Sequence, residues 1–314
     1  MGAYSGTVTA SGVGSILDVK RFAIHDGPGV RTTVFLKGCP LRCAWCHNPE
    51  SQETRPELLF WSERCIACGA CVSACPNGAI SVTASGAMPE TDRARCTACG
   101  ACVAACVPRA RTMAGTKRTV GDLLAEIDRD VLFYDQSRGG VTLSGGEPLA
   151  QPGFAADLLR ECRLRRVHTA VDTCGFADEE ALVAVAEHTD LFLYDVKLLD
   201  DEKHRQWTGA SNATILDNLR WLSSEGKRLW IRYPLIPGVN DSTRDLEDLG
   251  RFVARLPEVE ALQVLPYHAS GARKFVHLGR RYALPDVVPP GPEAILNAAA
   301  AIRAAASLPV TIGG

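Results

Sequence analysis

At 314 residues the chain can bury a large core, and one α/β domain with a small inserted unit accounts for its length. Its 34 basic and 36 acidic side chains are interleaved for a net charge of −2, and the absence of any lysine- or arginine-rich run argues against nucleic acid or an anionic membrane as a partner. No segment approaches the roughly 18 apolar residues of a membrane helix, and the first fifteen residues lack both a basic start and an apolar stretch, so a cytoplasmic protein is expected.

The first predicted strand, Thr32–Lys37, runs directly into Cys39, Cys43 and Cys46, spaced CxxxCxxC. The chain has 13 cysteines, an odd number, and eleven of them lie between Cys39 and Cys106. In a long chain from a reducing compartment, such clustering points to metal rather than disulfides. Three thiolates on one tight loop can hold three corners of a cubic iron–sulfur cluster and leave the fourth iron open. An open iron can bind and reduce a substrate, whereas a fully ligated cluster only passes electrons.

Next comes an internal repeat of period 31, Cys65–Pro76 and Cys96–Cys106, each copy spaced CxxCxxCxxxC. This is the bacterial two-cluster ferredoxin spacing, in which the fourth cysteine of each run serves the other cluster. Cys65, Cys68, Cys71 and Cys106 are therefore expected on one 4Fe–4S cluster, and Cys96, Cys99, Cys102 and Cys75 on a second. Gly69 and Gly100 would let the backbone approach the sulfides. Zinc, which wants ligands in two pairs, fits this ladder poorly. The second copy departs slightly, with Val107 before Pro108 where the first copy has Pro76 at once. Residues 55–115 read as a ferredoxin-like insert for electron transfer, or for structure alone, within a discontinuous domain of 16–54 and 116–314 that follows an N-terminal extension, 1–15.

From residue 116 helices and strands alternate. Thr119 caps a predicted helix whose apolar Val120, Leu123, Leu124, Ile127 and Val131 share one face, with Asp122 in the capping-box position. Short apolar strands follow at Val141–Ser144, Val167–Val171, Leu191–Tyr194, Arg228–Tyr233 and Ala261–Leu265. Six strands in α/β alternation imply a parallel sheet with right-handed crossovers. The expected fold is a partial (β/α)6 barrel, two units short of closure and open to something larger than a metabolite, with its chemistry on the carboxyl-end loops.

The stretch Arg21–Glu50, RFAIHDGPGVRTTVFLKGCPLRCAWCHNPE, resembles the signature of glycyl radical enzyme activating enzymes, members of the radical S-adenosylmethionine (SAM) superfamily. The likeness covers nearly the whole chain, including the two-cluster insert of the larger members. The cysteine triplet marks the superfamily, and His25-Asp26-Gly27-Pro28-Gly29-x-Arg31 narrows it. The resemblance implies that SAM chelates the open iron and that one electron cleaves it to methionine and a 5′-deoxyadenosyl radical. That radical takes hydrogen from a glycine of a partner enzyme, so no side chain is expected as a catalytic acid or base. The site must exclude water and hold its target close, and anaerobic work is expected.

Site residues follow from the same resemblance. Gly145-Gly146-Glu147 is assigned to the methionine amino group, Asp195 and Lys197 to SAM, and His268 of Pro-Tyr-His to the ribose. Trp45, Cys46 and His47 would flank the cofactor, Trp45 mostly through its backbone. Asp172, Thr173 and Asp195 are implied as ligands of a monovalent cation. Arg232 either approaches the carboxylate or forms an ion pair in the barrel. Asp26, Gly27 and Gly29 would meet the partner's glycine loop, or only position the cysteine loop. Cys162 beside Phe154 and Leu158 reads as core, and Cys174 as structural. The expected protein is a monomeric activase taking its electron from flavodoxin or ferredoxin, with an arylacetate decarboxylase or a diol dehydratase as partner. Two rivals are a radical SAM enzyme for a small molecule or another peptide, and an electron carrier that never cleaves SAM. Release of 5′-deoxyadenosine separates the second, and a radical on a supplied glycyl radical enzyme separates the first.

Overall fold

The structure, a computed structural model, describes residues 12–84, 87–306 and 308–313; residues 1–11 of the expected extension lie outside them. Its main sheet has nine strands: β1 Val13–Ala23, β2 Arg31–Leu36, β3 Thr116–Thr119, β4 Gly140–Gly145, β5 His168–Thr173, β6 Leu191–Asp195, β7 Leu229–Leu235, β8 Val259–Pro266 and β9 Val310–Ile312. They are ordered β9-β8-β7-β6-β5-β4-β2-β1-β3. From β2 and β4 through β9 every pairing is parallel, and each strand lies beside its successor in this series. β1 runs antiparallel to both β2 and β3. All six predicted strands are present. The sheet gains a seventh parallel strand, β9, and the antiparallel pair β1 and β3.

Side-chain alternation splits the strands into two faces. Leu143, Val171, Tyr194, Ile231, Tyr233 and Val264 point into the main core beneath the helices, where each is at most 2% exposed. Residues of the opposite parity (Ser144, Asp172, Asp195, Arg232 and Leu265) line a cavity on the other face. Four of the helices start on side-chain caps. Thr119 and Asp122 form a reciprocal capping box, and Asp178, Asp200 and Ser242 each accept from a backbone N–H three residues on.

The helix expected through Val131 is broken in two. Val120–Ile127 ends in a single 3₁₀ turn, Asp128–Asp130, and a second helix runs Val131–Ser137. Asp130 explains the break. Its buried carboxylate accepts from Arg21 Nε at 2.8 Å, from Arg21 Nη2, and from Thr32 Oγ1 at 3.2 Å, which draws the turn onto β1 and β2.

The cysteine-rich segment is framed by Glu57–Phe60 paired antiparallel with Arg111–Ala114, and it carries two short helices, Ala70–Ser73 and Ala101–Ala104. Gly69 and Gly100 take φ of +74° and +81°, a backbone that favours glycine ahead of each helix. Contacts with residues 277–280 tie the segment to the rest. Arg280 Nη2 meets Glu57 Oε1 at 2.5 Å, and the rings of Trp61 and His277 lie 3.9 Å apart.

Candidate active site

The cysteine loop leaves β2 and is pinned by backbone hydrogen bonds to two separate segments. Cys39 N–H donates to Gln52 O at 2.9 Å, while Arg42 and Ala44 donate to Thr208 and Trp207 carbonyls at 2.7 and 2.9 Å. Trp45, 5% exposed, anchors it in a small apolar cluster with Leu198, Ile236, Tyr267 and Phe275. The loop therefore presents Cys39, Cys43 and Cys46 to the cavity at the carboxyl end of the sheet.

Opposite the thiols, one charged or polar group arrives from each of four successive strand ends. Ser144 Oγ donates to Asp172 Oδ2 at 2.6 Å, and Arg232 Nη1 lies 3.1 Å from Asp172 Oδ1. Lys197 Nζ lies 2.7 Å from Asp195 Oδ2. Burial pulls the Lys197 ammonium down, but the Asp195 carboxylate and the neighbouring sulfurs more than offset it and leave the group well above the ordinary lysine range. Gly146 stands where a Cβ would meet Gly38 O at 2.4 Å, so the turn after β4 packs directly on the loop entrance.

Of the sequence-predicted residues, Trp45, His47, Gly145, Gly146, Asp172, Thr173, Asp195 and Lys197 line this cavity together with the three cysteines. Glu147 does not. It is fully buried behind the wall and accepts from Thr173 Oγ1 at 2.6 Å, Cys174 N at 2.9 Å and Leu149 N at 3.0 Å. Burial raises its pKa, against the pull of those bonds. His268 stands exposed at the rim, stacked on His47 with centroids 4.1 Å apart. Cys174, read from the sequence as structural, lines the cavity with its Sγ 2.9 Å from Glu147 Oε2; sequence reasoning missed Ser144. Strand parity alone would have found Ser144. Cys162 lies in the core with Phe154 and Leu158.

The 25–29 turn sits beside this cavity. Arg31, fully buried, donates to Pro28 O at 3.0 Å, Val141 O at 2.6 Å and Thr142 Oγ1 at 2.6 Å, clamping the turn to β4. Asp26 accepts from Thr33 Oγ1 at 2.7 Å, and cavity-lining Arg232 donates to His25 O at 3.3 Å. Gly29 takes φ of +68°, and a Cβ there would meet Ser137 O at 2.5 Å.

In the cysteine-rich segment, Cys65, Cys68, Cys71 and Cys106 border one hollow, and Cys75, Cys96, Cys99 and Cys102 another. The thiols ring these hollows rather than meeting at a point. Among the described residues no three His, Cys, Asp or Glu side chains converge on a single ion.

A parallel α/β sheet with three loop cysteines facing a charged cavity defines a class, and residues 33–252 match the family model of the radical SAM superfamily. The isethionate sulfite-lyase activating enzyme of Oleidesulfovibrio alaskensis is 45% identical over 88% of this chain and 90% of its own. The trans-4-hydroxy-L-proline dehydratase activating enzyme of Clostridioides difficile is also 45% identical, over 88% and 92%. The benzylsuccinate synthase activating enzyme of Thauera aromatica is 41% identical over 95% and 92%. The chain belongs to the glycyl radical enzyme activating enzymes of the radical SAM superfamily.

That family works with a 4Fe–4S cluster and SAM, and the donor set here fits. Burial pushes the thiols of Cys39 and Cys43 up to about 12 and that of Cys46 up to about 11. Buried thiols of that kind stay protonated near neutral pH unless a metal cation takes the proton's place.

Proposed function

We propose that Cys39, Cys43 and Cys46 hold the SAM cluster and that the cavity wall binds SAM. When bound, this pair supplies a 5′-deoxyadenosyl radical by one-electron cleavage of the sulfonium C–S bond. The chain's own residues then do the binding and orienting. Lys197, held charged by Asp195, meets the SAM carboxylate, and the Gly145-Gly146 backbone takes the methionine amino group. Glu147 stiffens the Thr173-Cys174 turn from behind. Trp45 flanks the adenine through its backbone, and His268, stacked on His47, reaches the ribose from the rim. Asp172, Thr173 and Asp195 form the place for a monovalent cation, beside the charge that Arg232 already brings. Asp26, Gly27 and Gly29 receive the partner's glycine loop, and Arg232 joins that turn to the cavity. The observation that carries this reading is the meeting of the three cysteines, Lys197, Asp195 and Asp172 in one cavity next to the 25–29 turn.

We further propose that residues 55–115 form a ferredoxin-like insert with two 4Fe–4S clusters in the two cysteine-lined hollows, three clusters in all. Residues 16–54 and 116–314 form the radical SAM domain. The protein works in the cytoplasm as a monomer, with flavodoxin or ferredoxin as donor, and among the described residues no helix is long and apolar enough to cross a membrane. Both partner classes expected from the sequence have a counterpart among the named relatives, a dehydratase and an arylacetate decarboxylase, the latter served by the indoleacetate decarboxylase activating enzyme of Tractidigestivibacter scatoligenes.

The test is anaerobic reduction in the presence of SAM. Wild type is expected to release 5′-deoxyadenosine and to raise a glycyl radical, read by electron spin resonance, on a supplied dehydratase of the glycyl radical class. Cys43→Ala is expected to lose both while keeping the iron of the other eight cysteines. Undiminished release from Cys43→Ala would sink the assignment.

A further inference from the structure

Arg111 is an anomaly among the buried side chains. It is 1% exposed, and no ion pair to it occurs among the described residues. Its Nη1 donates to Thr91 Oγ1 at 2.8 Å and its Nη2 to Pro89 O at 3.1 Å, both uncharged, and its guanidinium lies 4.7 Å from the Phe60 ring centroid. Its Nε is buried with no partner at all. A guanidinium withdrawn from water without a counter-charge is strongly unfavourable, so an anion is missing from its surroundings.

The missing anion has a position. Arg111 lines the hollow bordered by Cys65, Cys68, Cys71 and Cys106. Two residues along the same strand, hence on the same face, Met113 lines the hollow bordered by Cys75, Cys96, Cys99 and Cys102. The repeat thus duplicates the cysteines but not what faces them: a cation stands at one hollow and a thioether at the other. Arg93 is within electrostatic reach of Cys96, but its guanidinium is turned to the Leu58 and His277 carbonyls.

A cluster held by four thiolates is an anion that becomes more negative on accepting an electron, and net charge and hydrogen bonds to sulfur set its potential. We infer that Arg111 is the built-in counter-ion of the cluster held by Cys65, Cys68, Cys71 and Cys106, and makes it the more easily reduced of the two insert clusters. This rests on the two-cluster reading above. The insert is then polarised: an arriving electron settles beside Arg111, and the cluster beside Met113 is the stronger reductant.

The experiment is a redox titration of the fully loaded enzyme followed by electron spin resonance, with iron and sulfide analysis of every sample. Wild type is expected to show two distinct insert potentials, the higher belonging to the signal that disappears in Cys68→Ala. Arg111→Met is expected to lower that potential by at least a tenfold shift in the one-electron equilibrium, about 59 mV, and to move the other less. Arg111→Lys, which keeps the charge, is expected to stay within a few-fold of wild type. An unmoved potential in Arg111→Met at full iron content overturns the inference, as does an Arg111→Lys that falls as far as Arg111→Met. Should Arg111→Met fail to retain that cluster, the lysine variant decides alone. Fully loaded wild-type enzyme with iron for fewer than three clusters would instead overturn the two-cluster reading itself.

Discussion

At the scale of single residues, the cavity is organised by charges that would be costly if unpaired. Lys197 is the clearest case, because its side chain is 11% exposed and its contact with Asp195 is 2.7 Å. A charge-assisted bond of this kind contributes roughly 1.5–3 kcal/mol. Lys197→Met is therefore expected to weaken SAM binding by about tenfold or more while leaving cluster iron unchanged, measured by equilibrium dialysis against labelled SAM. Unchanged affinity would place the SAM carboxylate elsewhere. Much of the site was legible because its spacing is local: CxxxCxxC, Gly-Gly-Glu-Pro and Tyr-Asp-Val-Lys each name a strand end. The placements of Glu147 and Arg111 were not, for one physical reason. Which way a side chain turns at a strand end depends on neighbours far away in sequence. Glu147 lies 26 and 27 residues from the partners that turn it into the wall, and Arg111 lies 20 and 22 residues from Thr91 and Pro89.

At the scale of elements, the six parallel strands were readable because both of their faces are covered, which makes them short, continuous apolar runs. The missed strands lack that signal. β3 is Thr116-Lys-Arg-Thr119, polar and at one edge of the sheet, and β9 spans three residues at the other edge. β1 alternates and is mostly exposed over its second half. The break at Asp128–Asp130 was illegible because the helical periodicity continues through it. Only the long-range Arg21–Asp130 pair, 109 residues apart, shows why it is there. That pair has a pH consequence. The hydrogen bonds from Arg21 hold the Asp130 carboxyl below the usual aspartate range. A carboxylate with a depressed folded value contributes its stability above the unfolded value and loses it as pH falls through the folded one. Asp130→Asn is therefore expected to destabilise the protein at pH 7 and to flatten the acid side of its stability profile. Denaturant midpoints at both ends of that range check this, and equal losses at neutral and acid pH would exclude an ionic role.

At the scale of the whole molecule, the question is why a chain with a cysteine triplet at its cavity should carry eight more cysteines in the repeat. The proposed insert is joined to the segment that supports the cavity. Glu57 pairs with Arg280, the Trp61 ring lies tilted against that of His277, and Arg93 reaches the His277 carbonyl. Phe275 and Tyr282, on either side of these residues, pack in the cluster that anchors Trp45 of the cysteine loop. A continuous packed body thus runs from the repeat to the loop of Cys39, Cys43 and Cys46. Its outer end is also the accessible one, since Cys68 and Cys99 are the only exposed cysteines among the described residues. If a protein donor serves the insert, that exposed end is where it would meet the molecule, whereas a small reductant would reach the cavity directly. The two routes are separable. In the Cys68→Ala, Cys99→Ala double variant, 5′-deoxyadenosine release driven by dithionite is expected to persist, because Cys39, Cys43 and Cys46 are untouched. Release driven by reduced flavodoxin or ferredoxin is expected to fall at least tenfold. Full activity with the protein donor would show that electrons bypass the repeat, leaving its clusters a structural role. A loss with both reductants would mean that the double variant damages the cavity through the shared Trp61–His277 contact, and a variant at that contact alone, Trp61→Ala, would then reproduce it.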